Sequence, residues 1–492
     1  MHRSTLQSFA ARTLLCITLL IPAPHVPALN TELPDLGNSA GSLLTPKRER
    51  DLGKAFMRSV RRTEKVMDDP LLSDYIRDLG HRLINASGAQ GTPFYFFLID
   101  DPQINAFAGP GGYIGFYTGL ILTTETESEL AAVMAHEMAH VTQQHLLRAW
   151  ESTSNMSIPN AAILLAAIAL GAAVGGDAAA AAAIGGQAAL IQQRINFTRA
   201  NEKEADRVGI EILAASGYEP RAMPSFFARM GKANRVYAGN LPEYLQTHPV
   251  TTSRTADALG RAEDYPYRQT PGDLGYQLTR INLLQRRIDQ PEDAIRELSR
   301  MLADGRYRSE AAVRYGIALA QVRARRFADA AASLDRLLEM HPQQIEFIVV
   351  RSQVDQLLGN GLQGLERLDR ALTNAPGSLA LNVSAAEIAL DLGEPGQARD
   401  RLLQLLHYRS DEPSVYRLLA RAAAESGQAA AGHEYLAEYY YLIGDLKSAA
   451  LQLEIALDQK GMNFFESSRL ESKLKAVRAE QEDNENRQAN GR

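Results

Sequence analysis

The chain has 492 residues, 45% of them hydrophobic and 22% charged, with a formal net charge of -6. That length exceeds what one hydrophobic core supports, so two or more domains are expected. The slightly acidic balance argues against a nucleic-acid partner, which would call for a basic patch.

Arg3 and Arg12 precede an apolar run over 14–21, and Val26-Pro27-Ala28 supplies a small-residue cleavage site. Residues 1–28 therefore read as a secretory signal peptide, too short for a spanning helix. Cys16, the single cysteine, lies inside that run, and Leu15 before it does not suit lipidation. The expected mature chain then has no disulfide, no thiol chemistry and no thiolate metal ligand, which fits export to the bacterial periplasm. Residues 29–45, with Pro34, Gly37 and Gly41, read as a linker. Mixed charged and apolar residues at helical spacing predict a helical region over about 47–84.

A β-rich run at 94–99 is bounded by Pro93 and by Asp100-Asp101-Pro102. The turn-rich loop 105–112 leads into a second strand candidate at 113–117, either an ordinary hairpin or a place where an extended substrate adds by β-pairing. Thr126-Glu127-Ser128-Glu129 forms a capping box that opens a helix expected to end near Arg148 and Trp150. This helix carries His136-Glu137-Met138-Ala139-His140. Two histidines four apart share one helical face, so both imidazoles reach a single metal ion, while Glu137 projects beside that face as a base for water. Two His and one carboxylate would leave zinc an open position, the mark of a catalytic site.

Residues 152–193 carry one charge, Asp177, in an Ala/Gly-rich apolar stretch interrupted by Gly171, Gly175, Gly176, Gly185 and Gly186. A lid or membrane-surface segment is favoured over a true span. A helix follows over about 198–216, stopped by Gly217, and it holds Glu202, Glu204 and Asp206. The third ligand is expected among these acids. Glu202 with Asp206, i and i+4, would bind the ion and hold a ligand histidine respectively; Glu204 competes for the ligand role. A third histidine at the spacing of the metzincins is absent, since position 146 is Leu and 143 is Gln.

Beyond Pro266 and Pro271, Gly359, Gly393 and Gly427 recur every 34 residues, and positions 330, 364, 398 and 432 are Ala, Gly, Ala and Gly. That period with small residues at helix contacts is the tetratricopeptide signature, and about six helix pairs are expected between 276 and 480. The fold class expected is mainly α. A zincin-like metallopeptidase domain with a small β-sheet spans 46–268, a tetratricopeptide-repeat α-solenoid spans 269–480, and a disordered tail spans 481–492.

The HExxH helix, the ExxAD sequence from Glu202 to Asp206, and the loop with Asn105-Ala106-Phe107-Ala108 and Pro110-Gly111-Gly112-Tyr113 together resemble the HtpX and CAAX-prenyl-protease family of zinc metallopeptidases. With the signal peptide and repeat arm added, the chain resembles the periplasmic branch of that family. The resemblance implies one zinc ion held by His136, His140 and Glu202, with Glu137 as general base. It implies as clients misfolded or stalled outer-membrane β-barrel proteins, including the lipopolysaccharide-transport barrel, alongside the barrel assembly machinery, and it admits peripheral membrane association. The multiple membrane helices of other members are missing here. His248 in Thr247-His248-Pro249 matches the same branch: it would occupy the water position as a plug or stabilise the transition state. Arg254 would stabilise an oxyanion or brace its loop. His81, His145, His341, His407 and His433 are expected to be structural or surface residues. Two functions are compatible with these features, an endopeptidase fed by its arm and a repeat-based chaperone or scaffold with latent proteolysis.

Overall fold

The computed structural model describes residues 45–89, 91–146, 161–163, 165–166, 199–236, 242–268 and 274–490. The expected signal peptide and nearly all of the linker fall outside them, as does most of 152–193. Among the described residues helices dominate and the one sheet is small, as the sequence predicts.

The expected helical region at 47–84 is two helices, α1 (Pro46–Thr63) and α2 (Pro70–Ser87). Each begins on a capped proline: Thr45 accepts from the Arg48 N–H, and Asp69 accepts from the Leu71 and Leu72 N–H groups. Between them Val66 bridges to Ile99, so extended pairing interrupts the helical pattern there. The sheet holds β1 (Tyr95–Ile99), β2 (Ala106–Ala108) and β3 (Tyr113–Tyr117) in the order β1-β3-β2. β1 runs parallel to β3, and β2 antiparallel. Strand β2 was expected to be loop: its three residues are too few for a periodic signal and sit among turn formers. Since β3 is paired on both sides, an added strand has no place on it.

After α3 (Thr118–Thr123) comes the metal helix, α4 (Glu127–Thr142). Thr126 caps it by accepting from the Glu129 N–H, while the Glu129 carboxylate reaches back to the Glu125 N–H, one residue beyond an ordinary capping box. The helix stops eight residues before the expected Trp150, because Gln144 takes a left-handed φ of 53° and turns the chain. Then follow α5 (Arg199–Ala215), α6 (Ala222–Val236), α7 (Glu243–Thr247) and α8 (Thr252–Glu263). Every residue of α4 from Glu127 to His140 is buried, so this helix is the core of the domain. Ala161, Ala162, Leu165 and Ala166 are buried beside α1 and the sheet. Among the described residues no helix is long and apolar enough to cross a membrane.

The arm consists of six helix pairs: α9 (Leu274–Arg286) and α10 (Pro291–Ala303), α11 (Glu310–Arg323) and α12 (Phe327–Met340), α13 (Ile345–Leu357) and α14 (Gly361–Leu372), α15 (Leu379–Asp391) and α16 (Pro395–Leu405), α17 (Pro413–Glu425) and α18 (Ala429–Leu442), α19 (Leu446–Leu457) and α20 (Phe464–Asn490). The tail expected to be disordered instead continues α20 to Asn490. The turn glycines at 359, 393 and 427 all have φ between 74° and 84°, where only glycine is free of strain. Gly461 continues the series at φ 91°, and Arg325, at φ 60°, occupies the same place one repeat earlier.

The small residues do what their spacing implies. A Cβ on Gly364 would come within 2.7 Å of the Ser352 carbonyl oxygen, which is backbone and cannot yield. Gly364→Ala is therefore expected to destabilise by about 1–2 kcal/mol net of its helix-propensity gain. Gly396→Ala, with open space around it, is expected to be neutral or better; urea denaturation of the two variants side by side checks the claim.

The arm grips the N-terminal domain. Asp74 of α2 caps α15 from outside, accepting from Ser378 Oγ at 2.8 Å and from the Leu379 and Ala380 N–H groups at 3.1 and 3.0 Å, and it pairs with Arg409. Arg61 of α1 donates to the Leu442 and Asp411 carbonyls, and Tyr276 of α9 lies in the core that also holds Met134 and Leu213. A cleft of about 580 Å³ remains between α2 and the arm, with Arg77, His81, Gln344 and Tyr408 on its walls.

Candidate metal centre

The spacing of four places His136 and His140 on one side of α4, with their Nε2 atoms 3.0 Å apart. Helix α5 crosses directly above. It comes that close because Gly209 has no side chain, where a Cβ would stand 3.2 Å from the His136 backbone nitrogen. Glu202 Oε1 then lies 3.4 Å from His140 Nε2, and Oε2 lies 3.6 Å from His136 Nε2. From the C-terminal end of α7, His248 brings Nδ1 to 3.4 Å from His136 Nε2 and 3.2 Å from Glu202 Oε1. All four side chains are buried and their ligand atoms lie within 4.8 Å of one another.

These distances test whether a cation fits. A regular tetrahedron with metal–ligand bonds of 2.0–2.1 Å has ligand atoms about 3.3 Å apart. With Glu202 Oε1 as the fourth ligand atom, four of the six separations run from 3.0 to 3.4 Å. Imidazole lone pairs so close repel unless a cation or a proton lies between them, so the donor set suits a metal ion.

The surrounding charges hold the ligands in place. His136 Nδ1 makes a close but bent contact with Asp206 Oδ1 at 3.0 Å. Burial disfavours charge on His136, yet Asp206 and Glu202 outweigh it and hold its pKa up at about 9. His140 is pushed far the other way, by burial first and by the neighbouring His136 charge next. Burial also works against the charged forms of Glu202 and Asp206. Facing imidazoles keep the Glu202 carboxyl well below its ordinary range, and Arg254 and His136 lower that of Asp206. Arg254 donates Nε and Nη2 to Asp206 at 2.8 and 2.7 Å, places Nη1 2.6 Å from Glu202 Oε2, and donates Nη1 to the Pro249 carbonyl at 3.0 Å. With its guanidinium buried between the two acids and tied to the Pro249 carbonyl, Arg254 braces the loop and the acids.

Glu137 is fully buried, and neither carboxylate oxygen has a hydrogen-bond partner of normal geometry. Its Oε1 lies 3.5 Å from His248 Nε2. Burial raises its pKa above the usual carboxylate value, while His248, His136 and the nearby Ala108 backbone N–H pull it back in part. A buried carboxylate without a hydrogen bond of normal geometry, beside a ligand cluster, is costly for folding and useful for proton transfer.

Of the residues the sequence singled out, His136, Glu137, His140, Glu202, Asp206 and His248 all meet here. Glu204 does not: it faces away from the cluster and contacts His145 Nε2 at 3.2 Å. Two contributors escape sequence reasoning. His145 is buried against His140, and Gly209 sets the approach of α5; neither carries a motif.

A buried HExxH helix crossed by a second helix that supplies carboxylates defines a metallopeptidase, and residues 70–262 match peptidase family M48. The beta-barrel assembly-enhancing protease of Escherichia coli (strain K12) is 32% identical over 484 residues, covering 98% of each chain. That of Yersinia pestis is 32% identical over 447 residues, covering 91% of each. A Vibrio cholerae relative given the same name provisionally is 42% identical over 340 residues, 68% of this chain and 69% of its own. The chain belongs to the family of beta-barrel assembly-enhancing proteases and is a metalloprotease.

Proposed function

We propose that this chain is a periplasmic zinc endopeptidase, held latent by His248, that degrades misassembled outer-membrane β-barrel proteins alongside the barrel assembly machinery. The client class comes from the names of its relatives. The latency rests on one observation: His248 Nδ1 completes the ligand cluster while its Nε2 faces Glu137. A zinc site with four protein ligands is closed, and a catalytic one keeps a position open.

Zinc held by His136, His140 and Glu202 would lower the pKa of water from about 15.7 to about 7 and polarise a carbonyl. The chain's own residues supply the rest. Asp206, fixed by Arg254, orients the His136 ring through Nδ1. His248 withdraws as substrate enters, leaving the ligand cluster and uncovering Glu137. Glu137 accepts the proton of the attacking water and returns it to the leaving amine. The buried setting strengthens each of these interactions.

The test is cleavage of an unfolded outer-membrane barrel protein by zinc-loaded protein. If closure leaves the competent state at a few per cent or less, His248→Ala is expected to cleave about tenfold faster than wild type or more. Equal or slower turnover would show that His248 contributes to the reaction and does not restrain it.

The second reading, a chaperone or scaffold in which proteolysis is a last resort, is favoured by the cleft left between α2 and the arm. Barrel binding by all variants with cleavage by none would select it.

A further inference from the structure

We propose that His145 and Glu204 form a positioning relay behind the metal site, fixing which ring nitrogen His140 turns toward the ion. The proposal rests on the metal reading above.

The geometry leaves little freedom. His140 Nε2 belongs to the ligand cluster, 3.0 Å from His136 Nε2 and 3.4 Å from Glu202 Oε1. Its other nitrogen, Nδ1, lies 2.8 Å from His145 Nδ1. Two imidazole nitrogens at that distance share one proton, so one donates and the other accepts. For Nε2 of His140 to offer a lone pair to a cation, its proton must sit on Nδ1, and His145 Nδ1 must then accept. That choice places the His145 proton on Nε2, which faces Glu204 Oε2 at 3.2 Å. The hydrogen bonds thus run one way, from His140 to His145 to a carboxylate whose side chain is 35% exposed.

Backbone conformation supports a dedicated arrangement. His145 is 1% exposed and reaches His140 because Gln144 adopts a left-handed φ of 53°, an unfavourable region for a residue with a side chain. Without that turn the helix would continue and carry position 145 to a different face. The relay also explains Glu204. Glu202, Glu204 and Asp206 alternate along α5: the first joins the ligand cluster, the third orients His136, and the second orients His140 at one remove. The two ligand histidines are therefore held by different devices. A buried carboxylate clamped by Arg254 holds His136, and an imidazole backed by a surface carboxylate holds His140.

The experiment measures zinc affinity by chelator competition, and the visible spectrum of the cobalt-substituted protein, for the full chain and four variants. His145→Phe fills the space without an acceptor; His145→Asn keeps an acceptor at the Nδ1 position; Glu204→Ala and Glu204→Gln remove and retain the terminal acceptor. Loss of such an orienting partner typically weakens metal binding about 10–100-fold. His145→Phe is expected to fall in that range with a changed cobalt spectrum. His145→Asn should restore both readouts, and Glu204→Ala should fall between them, with Glu204→Gln near wild type. If His145→Phe binds zinc within about twofold of wild type with an unchanged spectrum, His145 is only packing and the relay is overturned. The same holds if His145→Phe and His145→Asn lose affinity equally. Failure of the wild-type protein to bind either ion would overturn the metal reading, and the relay with it.

Discussion

Glu137→Gln is expected to lower peptide cleavage by about 10²–10⁴-fold, the usual contribution of a general base, while leaving metal content unchanged. The measurement is best made in the His248→Ala background, where turnover is not masked by closure. The substitution is nearly isosteric, and neither Glu137 oxygen makes a hydrogen bond of normal geometry that glutamine would lose. The fold therefore has no reason to suffer. Burial drives the Glu137 carboxyl upward, which means the ionised form costs the native state free energy. Removing that charge should leave the urea midpoint unchanged or raise it. Dead enzyme with intact or improved stability and full metal occupancy is the expected combination. Cleavage within about tenfold of the parent would remove Glu137 from the role of base.

Arg254→Ala has the opposite profile, a large loss of stability. The guanidinium is 3% exposed and lies between two buried carboxylates, 2.7 Å from Asp206 Oδ1 and 2.6 Å from Glu202 Oε2. It also stacks over the Phe227 ring at 4.9 Å. Deleting one partner of a buried ion pair typically costs about 3–5 kcal/mol, because the surviving charge stays desolvated without compensation. Two such charges survive here. Lysine should recover only part of the loss, since a point charge cannot make the two-pronged contact to Asp206 while also reaching Glu202 and the Pro249 carbonyl. Urea denaturation of Arg254→Ala and Arg254→Lys checks the ranking. A loss below about 1 kcal/mol for the alanine variant would mean the acids are neutralised by other means. Because Arg254 tethers Pro249, the residue after His248, the variant should also loosen His248 in the cluster.

What could be read in advance follows the range over which each interaction acts. The i, i+4 spacing of His136 and His140, the Thr126 cap and the turn glycines 34 residues apart are determined by bonds within a few residues. Helical geometry alone converts them into a ligand pair, a helix start and a solenoid. The neighbourhood of these features was legible for the same reason, as with Glu202 and Asp206 one turn apart. Elsewhere local pattern misled. The helical region expected at 47–84 is divided into two helices by a short extended segment in which Val66 bridges to Ile99, and Gln144 ended α4 before its apolar pattern did. Strand β2 was too short to carry a period.

By itself the sequence determined the chemistry: which side chains could hold a cation, which carboxylate stands beside them, and that a repeat arm follows. Only the tertiary structure decided their partnership. His248 is 112 residues from His136 along the chain, and nothing local specifies that its ring should close the cluster. The choice of Glu202 over Glu204 depends on the roll of α5 against α4, and that depends on Gly209 having no Cβ to hold the helices apart. Arg254 became a brace because the fold buried it between two acids, and His145 became a partner of His140 because one residue turned left-handed. Such contacts arise from packing between distant segments, which spacing along a chain does not encode.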